Sequence, residues 1–322
     1  MRRPRLRAPL VLVAVGVVVG LAGGTTYAAF FATTSNPGNS FTALADWTPP
    51  SAGGSVIMRS GGSIPGYIRQ GRTYFVYANV TDGGNPPSGV TSVTANLTNI
   101  TVGQTAVPLT SAPCPCVVAG LTYNYRSASL TASNPLAEGA KTYTLTMTDG
   151  GGNSATQSGF VVTVDNTAPG GSDIQTANKV FVVGHAETGD TITYTFSETM
   201  DPSSIMAGWD GSATSVTLRL TNNAGGDRVT VFNGTTQLSL GTVNLGRTDY
   251  TTGTVNFTGS TMVQSGTVIT ITLGIPDQPS RLRTAGGNGT MTWTPSSAAL
   301  DAAGNACSTT TRTESGAADP EF

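Results

Sequence analysis

A chain of 322 residues is long enough for two domains of ordinary size, and 38% hydrophobic residues in regular alternation exclude a disordered Ser/Thr/Gly tract. Only 11% of residues are charged, 41 are glycine and one is histidine, which excludes a His-rich metal centre and leaves His185 alone to serve any Ser–His–Asp triad. The formal charge of −2 includes four leader arginines; without them 12 basic residues face 18 acids, near −6, with Lys141 and Lys179 the two lysines, which argues against nucleic acid or an anionic membrane as partner.

Met1–Arg7 is basic, Pro9–Leu21 is uninterrupted apolar and Ala22–Ala29 is small. That is the layout of a secretory signal peptide, expected over residues 1–28, with Ala28 and Ala29 flanking the cut. The apolar run is short for a membrane span, so cleavage is favoured over a retained anchor. The junction LAGGTTYAAFFATTSNPGNSFTA (Leu21–Ala43) resembles the leader and early mature region of SipW-dependent secreted proteins, the group of the TasA-type matrix fibre proteins and camelysin-like proteins. That resemblance implies export and processing after Ala28, and it says nothing of the body of the chain.

Residues 29–66 read as a lead-in, whose Pro/Gly/Ser-rich part holds one short apolar run suited to a first edge strand. Residues 67–168 then show strands of period two. Tyr74, Val76, Ala78 and Val80 share one face, with Phe75, Tyr77 and Asn79 on the other. Val93, Ala95 and Leu97 alternate with Ser92, Thr94 and Asn96; Tyr143, Leu145 and Met147 alternate with threonines; Phe160, Val162 and Val164 follow. Turns rich in Gly, Pro and Asn, such as Thr81–Gly89, part the runs, which is the pattern of a β-sandwich. No apolar 3.6-residue period of useful length follows the leader.

Val164–Pro169 (VDNTAP) closes this unit, and Pro169 removes a donor and fixes φ so that the strand cannot run on. Residues 169–308 repeat the logic with Ile192, Tyr194 and Phe196, then Val216, Leu218 and Leu220, Val229 and Val231, Val255 and Phe257, and Ile269, Ile271 and Leu273. The Asp-Gly-Gly-Gly-Asn turn at Asp149–Asn153 returns as Asp-Ala-Ala-Gly-Asn at Asp301–Asn305, one domain later. VDNTAP resembles the joint between bacterial Ig-like repeats, and Thr191–Ile205 (TITYTFSETMDPSSI) is similar to a motif of the Ig-like domains of S-layer protein A. These resemblances imply an all-β protein of two tandem Ig-like β-sandwiches behind an N-terminal signal helix. The tail, 309–322, is polar and reads as flexible.

Acids at strand ends raise calcium as a cofactor, with Asp82, Asp149, Asp165, Asp173 and Asp301 as ligands, because hard cations want several oxygens. The competing reading, preferred here, makes Asp-Gly and Asp-x-x-Gly-Asn turn formers that bond their own backbone, with no cofactor. Glu198 and Asp201 are close enough to suggest a glycosidase pair, yet their motif reads as a tied turn. His185 reads as an exposed loop residue. Cys114 and Cys116 either close a small disulfide ring or sit reduced at a loop tip, while Cys307 reads as buried. Tyr67, Tyr74, Tyr77, Tyr123, Tyr125, Trp209 and Trp293 are weighed as a sugar-stacking platform and assigned mostly to core, with Tyr123 and Tyr125 the exposed pair if any is.

The expectation is a non-catalytic, secreted cell-surface or matrix protein for structure or adhesion, with no catalytic residues. Its partners would be other surface proteins or copies of itself, paired through exposed edge strands. The rivals are a carbohydrate-binding or accessory module, and a surface protein anchored in the membrane by an uncleaved leader, the one route by which this chain would meet a membrane.

Overall fold

The computed structural model describes residues 46–179 and 182–322. The export signal, Ala28 and Ala29, the signal helix and the first part of the lead-in lie outside the described residues. Period-two alternation becomes strand throughout. Among the described residues the structure is nearly all β, with one four-residue helix, α1 (Pro202–Ile205), and one 3-10 turn at Pro279–Arg281.

The first sheet is built from β1 (Ser51–Arg59), β2 (Tyr67–Ile68), β3 (Thr73–Thr81), β4 (Val90–Asn96), β5 (Val107–Thr110), β8 (Tyr125–Ser127), β9 (Leu130–Thr131), β10 (Gly139–Asp149) and β11 (Ser154–Val164). A separate hairpin joins β6 (Cys116–Val118) to β7 (Leu121–Tyr123). The order is β1-β3-β8-β5-β4-β10-β11-β2, with β9 also on β3. Every pair is antiparallel except β11 with β2. β1 also lies against β11, so the sheet bends until its two ends meet around one core. Tyr74, Val76, Val93, Leu97, Leu145, Met147 and Val162 fill that core, the inward faces that alternation assigns. The opposite face of β3 is not left to solvent. The hairpin β6–β7 folds over it, burying Tyr77, Val118 and Tyr123 together.

The second sheet runs β12-β13-β19-β18-β14-β15-β17-β21-β22. Its strands are β12 (Gly171–Ala177), β13 (Thr191–Phe196), β14 (Thr214–Thr221), β15 (Arg228–Asn233), β17 (Thr242–Asn244), β18 (Val255–Ser265), β19 (Val268–Thr272), β21 (Thr292–Thr294) and β22 (Arg312–Thr313); β16 (Thr236–Gln237) sits on β15 and β20 (Ile275–Pro276) on β18. β12 reaches round to β21 and β22, so this sheet curls on itself too. Trp293 is fully buried, edge-on to Tyr194 (5.3 Å) and Phe196 (4.9 Å), and its indole N–H donates to the Leu240 carbonyl at 2.7 Å. Gly171 is required beside it, since a Cβ there would stand 2.8 Å from the ring. Each fully buried Val, Leu, Ile or Phe of these cores stabilises by about 1.5–3 kcal/mol.

One expectation is corrected. The tail is not frayed: Arg312–Thr313 pairs with β21, Glu321 and Phe322 are buried, and the Phe322 ring packs on Tyr250. Its sequence looks polar because only two residues at its end do the packing. In both sheets the end strands lie against one another without a hydrogen-bonded ladder between them.

Candidate functional site

The repeated turn sets the geometry of both candidate sites. In the first, the Asn153 amide N–H and its Nδ2 donate to the two oxygens of Asp149, each at 2.8 Å, and Nδ2 also reaches the Asp46 carbonyl at 3.1 Å. In the second, Asn305 makes the same pair of bonds to Asp301 at 2.8 Å, and Nδ2 reaches the Asp165 carbonyl at 3.0 Å. One asparagine thus ties the closing turn of each sandwich to the acid that opens it. Gly304 has φ +92° and would bring a Cβ to 3.0 Å of the Arg59 side chain, so it serves both the turn and the approach of that arginine.

Two carboxylate triads follow. Asp46, Asp82 and Asp149 converge at one end of the first sandwich, and Asp165, Glu198 and Asp301 converge where the chain passes into the second; in each, ligand oxygens lie within 4.8 Å of one another. Four of the five expected ligands are therefore brought together two by two. Asp173 is not: it accepts from the amide and hydroxyl of Ser315 at 2.8 Å, far along the second sandwich. Asp46 and Glu198 complete the triads and were not foreseen as ligands. A register signal marks Glu198, which stands two residues beyond Phe196, the last core residue of its strand, as Asp82 stands two beyond Val80; Asp46, ahead of the first strand, carries no such signal.

The triads differ in how their charge is met. Asp46 accepts from the amides of Thr48 and Ser88, both at 2.9 Å, and from the Ser88 hydroxyl at 2.8 Å; these bonds hold its carboxyl below the usual range. Asp82 accepts from the amides of Gly84 and Gly89. Backbone donors therefore satisfy the first triad, as the turn reading requires. In the second, burial and then the neighbouring Asp165 push Glu198 up to about 8, and burial raises Asp301. Three carboxylates so placed share a proton or take a hard cation, and an all-oxygen donor set suits calcium rather than a soft metal.

Around the second triad the two sandwiches are bolted together. Asp201 caps α1 through the Ser203 amide at 3.0 Å and also forms an ion pair with Arg59 at the end of β1; Asp201 is fully buried and Arg59 nearly so. Arg59 Nε donates to the Ala302 carbonyl at 3.2 Å, and both the amide and hydroxyl of Ser63 donate to Asp201. Arg69 Nη1 donates to the Asn305 side chain at 3.2 Å. A carboxylate so engaged cannot act as a glycosidase acid or nucleophile on a substrate.

The other residues singled out by sequence fall as follows. His185 is half-buried, with Nδ1 3.6 Å from Glu187. Cys114 and Cys116 form a disulfide at the foot of the hairpin β6–β7, and Cys307 is a buried free thiol, pushed up to about 11 by burial. Tyr74, Tyr77, Tyr123, Trp209 and Trp293 are buried, Tyr125 is half-buried and Tyr67 is exposed, so no aromatic platform forms from them. A groove of about 510 Å³ is lined by Arg228, Thr242, Asn244, Thr292, Thr294 and Thr311 and has no aromatic wall. Among the described residues no helix is long and apolar enough to cross a membrane. No known family matches the chain, and no curated protein is similar to it.

Proposed function

We propose that this chain is a non-catalytic structural or adhesive protein of the cell surface or extracellular matrix, built from two Ig-like sandwiches that act as one stiff unit. The observation that carries the reading is the joint. A buried Arg59–Asp201 pair, with Ser63, Arg69 and Asn305 closing around it, holds the sandwiches where a flexible linker would otherwise run. Stiffness of this kind suits a spacer that presents loops at a distance. Calcium enters the reading at the Asp165–Glu198–Asp301 triad, where it would take the place of the shared proton and stiffen the joint further.

Partners, in this reading, are other surface proteins or further copies of the chain, with export through the leader. The test is fractionation of expressing cells together with electron microscopy of the purified protein. Surface or matrix recovery with concentration-dependent assemblies is expected, and a purely cytosolic monomer would sink the reading. The rival carbohydrate-binding role predicts retention on insoluble polysaccharide, which the threonine-lined groove without an aromatic wall does not favour.

A further inference from the structure

A third carboxylate cluster lies away from the joint, where the tail returns to the second sandwich. Glu314 follows β22, and Asp319 and Glu321 lie on the last turn; each offers an oxygen within 4.8 Å of the other two. The decisive residue is Glu321, only 1% exposed. Its Oε2 accepts from the Thr176 hydroxyl at 2.6 Å, and its amide donates to the Tyr250 hydroxyl at 2.6 Å. Its Oε1 is buried and no N–H or hydroxyl donates to it; the carboxyl instead stands within hydrogen-bonding reach of the Glu314 carboxyl, with Asp319 beside them. The ion pairs formed among the described residues involve other acids: Arg59 with Asp201, His185 with Glu187, and Arg247 with Asp249.

A buried carboxylate oxygen with neither donor nor counter-charge is costly, and like charges beside it add to the cost. We propose that Glu314, Asp319 and Glu321 form a calcium site that fastens the tail to β12. Glu314 Oε1 already accepts from the Met291 amide at 2.7 Å, which leaves its other oxygen for the ion. Glu321 supplies the orphaned Oε1, and Asp319, on the exposed side, supplies a carboxylate and leaves room for water. The cluster holds neither Cys nor His, so a soft metal has no ligand to prefer. Calcium accepts carboxylate oxygens in irregular arrays, whereas magnesium demands near-ideal octahedral geometry and gives up its waters reluctantly, so three protein carboxylates suit calcium better. Without the ion, burial and then Glu314 keep Glu321 protonated, pushed up to about 8.

The proposal is independent of the joint triad, and the experiment keeps the two apart. Calcium chloride is titrated into the full protein by calorimetry, with hydrogen exchange of residues 312–322 followed in parallel. Wild type and Glu198→Gln should both show the site and slowed exchange of the tail on adding calcium. Asp319→Asn, at an exposed position that leaves the core intact, and Glu321→Gln, which keeps shape while removing charge, should weaken that site at least tenfold and abolish the tail's response. Full calcium binding and tail protection in both variants would overturn the assignment, as would a wild-type tail indifferent to calcium. Magnesium binding as tightly as calcium would overturn the choice of ion.

Discussion

The two closing turns are built alike and used differently. Asn153 and Asn305 tie Asp149 and Asp301 at the same 2.8 Å distances and reach back to the carbonyl of the acid that opens each sandwich. At the first turn the neighbouring acids are satisfied by amides of Thr48, Ser88, Gly84 and Gly89. At the second, Arg59 and Arg69 come from the other sandwich, and Asp201, whose counterpart region in the first sandwich carries Asn85 and Pro86, receives one of them. A turn that merely closes a hairpin thus becomes a joint by the addition of one buried acid and two arginines.

The largest effect should come from breaking that addition. Asp201→Ala leaves Arg59 buried without its partner and should cost about 3–5 kcal/mol in urea unfolding. Asp82→Ala, which loses two bonds to amides at the outer triad, should cost about 1 kcal/mol. Equal costs would erase the distinction between the two ends. Next, Asn153→Ala should cost about 2 kcal/mol and Asn305→Ala about 3 kcal/mol, because both lose the same pair of amide bonds and Asn305 also loses the bond from Arg69. Only the second should also loosen the joint, seen as faster proteolysis between Val164 and Gly171.

A smaller effect separates the triads by pH. Glu198 is raised from 4.5 to about 8, so between those values the native protein keeps a proton that the unfolded chain has released. Its contribution is present below the unfolded value and is lost as pH rises through about 8, so melting temperature should decline across that window. Glu321 adds a decline of the same sign. Glu198→Gln should remove part of the slope and leave the rest, and a slope unchanged by Glu198→Gln would show that the joint carboxyls do not share a proton. Asp46, held low, contributes in the opposite sense at acid pH. The smallest effect belongs to the Cys114–Cys116 disulfide, which encloses so few residues that replacing both with serine should shift global stability by about 1 kcal/mol or less while hydrogen exchange quickens in the hairpin.

The cores were legible in the sequence because period two is a local signal. Tyr74, Val93, Leu145, Ile192, Leu218, Phe257 and Ile271 are all buried on the faces that alternation assigns. The turn acids were legible for the same reason, since Asp149 and Asn153 are four residues apart. The joint was not. Arg59 and Asp201 lie 142 residues apart, and Arg59 stands in a Gly/Ser-rich lead-in with nothing to mark it. Asp201 did look like a turn former, and it is one through the Ser203 amide, but its other oxygen was free to cross to the neighbouring sandwich. The tail escaped for a similar reason, because Glu321 and Phe322 become core only when Thr176 and Tyr250 are placed beside them.

A rigid joint fixes the distance between the two sandwiches, and that distance can be measured across it. Spin labels at exposed Thr98→Cys and Thr236→Cys, one on each sandwich, would be read by double electron–electron resonance, with Cys307 shielded by burial. A single narrow distance distribution is predicted, broadening when Arg59→Ala is added. A broad distribution in the otherwise native protein, or one that Arg59→Ala leaves unchanged, would contradict the account.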